Sequence, residues 1–172
     1  MSEPLQYLIP ASLIGIGATA FMDVIGALRK ALFGTPLADY GLVGRWLAHL
    51  LRGRLRHDAI GQTPRVRGER LLGWTAHYLI GISFAALLLV VWGRDWLCRP
   101  TVGAALAVGV GSVLAPFLIM QPGMGAGIAA SRAPSPTAAR SRSLVTHATF
   151  GIGLYVAGLV VHSLEIFACT EL

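Results

Sequence analysis

The chain has 172 residues, 55% of them hydrophobic and only 13% charged, with a formal net charge of +6 at pH 7. A soluble domain carries about 25% charged residues, so the composition excludes an ordinary water-soluble fold and indicates an integral membrane protein. The apolar residues fall into four blocks that fill most of the chain, which leaves no room for a separate soluble domain.

A membrane span needs about 20 mostly apolar residues. The first block that meets this is Tyr7–Leu28. The preceding "MSEPLQYLIP" has no basic n-region, and the span is too long for the apolar core of a signal peptide, so it is expected to stay as an anchor. The long segment 29–70 follows. Within it "DYGLVGRWLAHLLRGRL" puts Leu42, Val43, Trp46, Leu47, Leu50 and Leu51 at helical spacing, with Arg45, His49 and Arg52 on the other face and Asp39 as N-cap. A basic amphipathic helix with a tryptophan suits the headgroup layer, either as an anchor or as a lid. His57-Asp58 further on reads as a solvated basic surface.

The second block, Leu71–Val91, is hydrocarbon throughout except for His77. The third, Val102–Met120, runs into "QPGMGAGIAASRAPSPTAARSRS", where Gly123, Gly125 and Gly127 suit a turn with close helix approach or an anion-binding nest. No strand precedes these glycines, so they are not a dinucleotide fingerprint. The fourth block is Leu144–Ile166, with His162 near its far end. "AHYLIGISFAALLLV" (Ala76–Val90) lines up with "THATFGIGLYVAGLV" (Thr146–Val160). The expected architecture is therefore all-α and polytopic: one domain over residues 1–172, with four transmembrane helices as two parallel helical-hairpin repeats. An interfacial amphipathic helix lies in the first loop.

Charge placement sets the orientation. Arg29, Lys30, Arg45, Arg52, Arg54, Arg56, Arg65, Arg67 and Arg70 follow the first span, and Arg132, Arg140 and Arg142 follow the third. Arg94 and Arg99 alone separate the second and third spans. The positive-inside rule puts segments 29–70 and 121–143 in the cytoplasm and both termini on the outer side. The basic charge is thus accounted for by topology, and no nucleic-acid partner is expected. Cys98 and Cys169 both fall on the outer side, where an oxidising compartment permits a disulfide between them.

Small residues recur every four positions along each span: Ala11, Gly15, Thr19, Asp23 and Ala27; Gly73, His77 and Gly81; Gly103, Ala107, Gly111 and Ala115; Ser143, His147 and Gly151. Such stripes mark helix–helix contacts in membranes, so Asp23, His77 and His147 are expected to point into the bundle. At the helical rise Asp23 lies about 9 Å from Arg29, His77 about 10 Å from Arg70 and His147 about 7.5 Å from Arg142. Gln121 closes the third span at the same level. An ionised Asp there needs a partner, and a histidine supplies one. The polar set Asp23, His77, His147, Gln121 and Thr19 reads either as a clamp between helices or as a functional site. As a site it could carry transport, hold a metal on Asp23, His77 and His147, or place His77 and His147 on a haem. No cofactor is required by the sequence. No CxxC and no nucleophile elbow occurs, so hydrolase chemistry has no support and an enzyme is not the expectation.

"DYGLVGRWLAHLLRGRLRHDAI", "GERLLGWTAHYLIGISFAALL" and "LAPFLIMQPGMGAGIAASR" together resemble a bacterial inner-membrane family filed as domain of unknown function 2938. The resemblance runs from the first span to the fourth. It implies a small multi-pass bacterial inner-membrane protein and carries no activity or catalytic residues to transfer. The functional expectation is a small permease-like or ligand-binding protein with an Asp/His site open to the cytoplasm. The alternatives are a metal or haem redox protein and a structural or accessory subunit. Its partners are the bilayer and, because four short helices make a narrow pore, a second copy as homodimer.

Overall fold

The computed structural model describes residues 7–165 and 169. They are helical, with no strand among them. Helix α1 is Leu8–Phe33, α2 is Tyr40–Leu50, α3 is Glu69–Cys98, α4 is Val102–Gly111 and α5 is Pro136–Ser163. Four stretches are long and apolar enough to cross a membrane: Leu8–Phe33, Glu69–Cys98, Val102–Gly123 and Pro136–Ser163. The expected end of the fourth span at Ile166 lies outside the described residues.

The ends follow from local chemistry. Gly34 stops α1 in the left-handed region (φ 64°), its N–H bonded to Lys30 O. Asp39 caps α2, accepting from Gly41 N at 2.9 Å. Gly93 (φ 65°, ψ −154°) kinks α3 before its last turn. The third span is broken. Regular helix ends at Gly111, and the chain resumes as a π-helix over Pro116–Met120 before one further turn, Gln121–Gly123. Pro116 lacks an N–H and cannot continue the i→i−4 ladder.

The chain divides into two compact units, to which α3 and α5 each contribute a stretch. The first gathers Met1–Thr35, Tyr78–Gly111 and Thr146–Leu172. Its core is Ile14, Ala18, Ala85, Leu88, Leu89, Ala105, Phe150 and Leu154, all nearly or fully buried. Large apolar side chains cover its outside, among them Ile9, Ile16, Val24, Val90 and Val160. Water does not tolerate so extensive an exposed apolar surface, and lipid does.

Glycines decide how closely these helices approach. A Cβ on Gly15 would strike the Ile82 backbone, and one on Gly81 would strike Thr19 Oγ1. One on Gly109 would strike the Gly151 backbone. Gly81 and Gly151 are the equivalent positions of the two similar segments, and each serves the crossing between the helices of its own hairpin. The expected stripe on the third span is corrected here. Ala104, Ala105, Val108 and Gly109 are the buried face, whereas Gly103 and Gly111 are exposed with open space around them. This helix carries small residues on nearly every side, so a four-residue spacing cannot select among its faces.

Cys98 and Cys169 form a disulfide, with Cα atoms 5.6 Å apart. Alkylation of the denatured, unreduced protein is therefore expected to add no mass. After reduction both cysteines should be capped. Two caps without reductant would show the bond to be absent in solution.

Candidate functional site

The five intramembrane polar residues divide between the units. Thr19, Asp23 and His147 belong to the first, and His77 and Gln121 to the second. Thr19 is 1% exposed, and its hydroxyl donates to Gly15 O at 2.7 Å. It is a satisfied helix residue under Gly81, so its hydroxyl is already engaged. Asp23 is half-buried, and its Oδ2 accepts from Tyr78 Oη at 3.3 Å. Tyr78, a phenol one residue beyond His77, is a partner that the sequence reading missed. Its only signal there was a hydroxyl inside an apolar run. His147 is half-buried, and its carbonyl faces Gly109 at the close helix crossing.

In the second unit, formed by Pro36–His77 and Ser112–Val145, His77 stacks on Tyr40 with ring centroids 4.1 Å apart. Trp74 lies edge-on to His77 at 5.8 Å. Gln121 Oε1 is buried with no hydrogen-bond partner. Among the described residues no group of three His, Cys, Asp or Glu side chains could hold a metal ion. The stack with Tyr40 packs one face of the His77 ring.

The second unit holds features that run against the sequence reading of its amphipathic helix. Arg45 is only 5% exposed, so part of the polar face of α2 is packed along with Gly44 and Trp46. Its Nε and Nη2 donate to Glu69 Oε2 and Oε1, both at 2.8 Å. Its Nη1 donates to Thr63 O at 3.0 Å and more weakly to Ile60 O at 3.3 Å. This bidentate fork with spare donors on carbonyls is the geometry that makes a buried guanidinium tolerable. Glu69, outweighing the effect of burial, raises the Arg45 pKa further above its already high value. Backbone contact completes the crossing: a Cβ on Gly44 would strike Glu69 O, and one on Gly73 would strike Tyr40 O.

His57 was expected at a solvated surface and is 6% exposed. Its backbone N–H donates to Gly123 O at 2.9 Å, and Ile60 N–H donates to Met124 O at 3.1 Å. His49 packs edge-on against it with centroids 5.2 Å apart. Gly123 lies against the Trp46 ring, and a Cβ on Gly125 would strike Asp58 O. The alternating glycines therefore allow close approach, clamping residues 57–60 to residues 121–125. A cavity of about 420 Å³ opens beside this clamp, lined by Arg54, Arg56, His57, Asp58, Ser131 and Arg132 among others. Nothing in the sequence brought its two halves together, since they lie far apart in the chain and share no motif.

No curated protein and no solved structure matches the chain. The model of the family described as "Protein of unknown function (DUF2938)" matches residues 12–161, which take in all or most of each of the four apolar helices, and the chain belongs to that family.

Proposed function

We propose that this is a multi-pass inner-membrane protein of bacteria, of permease-like or ligand-binding type, with Asp23 as the intramembrane group that meets the ligand or a proton. The observation that carries this reading is the broken third span. Non-helical backbone at membrane depth is tolerated only where protein or a water-lined cavity satisfies it, and transporters use such breaks at their binding sites. The π-helix over Pro116–Met120 is the same kind of irregularity. A carboxylate within an apolar helix, held by a tyrosine hydroxyl, adds a group that can change its charge. The arginine distribution supports cytoplasmic segments 29–70 and 121–143 with outer termini. The disulfide at Cys98 and Cys169 supports the same orientation, because such bonds persist in oxidising compartments. A homodimer would widen the narrow path that four helices leave.

The test is Asp23→Asn in proteoliposomes, with proton flux driven by a potassium diffusion potential. Tyr78 can still donate to the amide oxygen, so the fold should persist. The expected result is a flux about tenfold lower than wild type, at unchanged thermal stability. Wild-type flux no higher than that of empty liposomes, or an equal flux in the variant, would reject the reading. A variant clearly less stable than wild type would assign Asp23 to clamping helices.

A further inference from the structure

We propose that the cavity between residues 54–58 and 122–132 is a binding site for the phosphate group of an organic phosphate. Its charge is the first argument. Arg54, Arg56 and Arg132 line it with three guanidiniums, against the single carboxylate of Asp58. None of the three is ion-paired among the described residues. The excess of two positive charges matches a phosphate monoester, which carries about −1.5 to −2 at neutral pH, better than it matches a carboxylate. Guanidinium forks fit phosphate oxygens bidentately, and the Ser131 hydroxyl adds a neutral donor.

Size is the second argument. A volume of about 420 Å³ lies in the range of small-molecule sites, so the phosphate would enter with an organic body attached. Rigidity is the third. Besides the bonds from His57 and Ile60, Arg132 N–H donates to Ala126 O and Arg140 Nε donates to Ala129 O, both at 2.8 Å. Arg140 thereby braces a segment in which Ala129 and Ala130 are both left-handed, at φ 48° and 56°. That conformation is unfavourable for an L-residue and persists only where its surroundings over-determine it.

The same chemistry has two sources. Pro122 in the cavity wall lies at the end of the third apolar stretch, so a phospholipid headgroup is one. A soluble organic phosphate is the other. The test uses the full chain in detergent with two probes. Glycerol 3-phosphate is titrated calorimetrically. Phosphatidic acid, with phosphatidylcholine as reference, is scored by native mass spectrometry for lipid retained. Saturable one-to-one binding of either probe is expected, and retention of phosphatidic acid alone would identify the membrane as the source. Binding should weaken about tenfold or more in Arg56→Gln/Arg132→Gln, the loss of charge-assisted bonds. It should stay within about twofold of wild type in Arg67→Gln, an exposed residue outside the cavity lining whose loss removes a charge of the same sign. Should the double variant fail to fold, Arg132→Lys keeps the charge and loses the fork, and about fivefold weakening is then expected. No saturable binding of either probe would overturn the proposal. So would an equal loss in Arg67→Gln, which would reduce the effect to diffuse charge.

Discussion

Arg45→Ala is expected to destabilise the protein by about 3–5 kcal/mol, the range for removing one partner of a buried ion pair. The lost guanidinium serves three pieces of chain at once: Glu69 at the start of α3, the carbonyls of residues 60–63, and α2 itself. Without it the Glu69 carboxylate keeps the Val66 N–H at 2.9 Å but loses its counter-charge. Arg45→Lys should fall between, because an ammonium cannot reproduce the fork. Arg45→Met combined with Glu69→Leu should recover most of the loss, since apolar pairs of similar volume often replace buried ion pairs at little cost. Unfolding in mixed micelles, followed by near-ultraviolet circular dichroism, reads all three. A cost under about 1 kcal/mol for Arg45→Ala would show the pair to be solvated like an ordinary surface bridge.

The second large effect separates two glycines on one helix. Gly109→Ala places a methyl group against the backbone of Gly151 and the carbonyl of His147, neither of which is a flexible side-chain end. Relief requires α4 and α5 to move apart, and overpacking of this kind costs about 1–3 kcal/mol. Gly103→Ala meets nothing within 4 Å, and should gain up to about 1 kcal/mol of helix propensity. The two substitutions are chemically identical, so opposite signs of the shift in thermal midpoint would isolate the crossing. Equal signs would place the contact face elsewhere on α4. Gly15→Ala, directed at the Ile82 backbone, should behave like Gly109→Ala.

These two cases also show what the sequence could reveal. The four apolar stretches were legible because hydrocarbon thickness fixes their length whatever the packing. The α2 helix and its Asp39 cap were legible because capping is local, a bond to Gly41 two residues on. The helical period of α2 did not reveal that its Arg45 is buried. Its arginine was assigned to headgroups, because the counter-charge that buries it lies at Glu69, outside any helical period. His57 was misread for a similar reason, since its partner Gly123 comes from the other half of the chain. On α4 the packed stripe was ambiguous because small residues occupy nearly every face. Asp23 stood out as a charge in an apolar run, but Tyr78 did not, since tyrosine is unremarkable in a membrane helix. Local rules reach cap, turn and span. The partners that give a polar residue its role come from non-local contacts.

The bond between Cys98 and Cys169 closes a covalent ring around α4, the broken stretch after it, the second arginine-rich segment and α5. A protease that nicks this ring once, for instance at exposed Arg132 or Arg142, cuts no piece free. Both ends stay tethered at the Cys98 end of α3, and the second hairpin is held beside the first. Loss of that hairpin needs two cleavages, or one cleavage and a reductant.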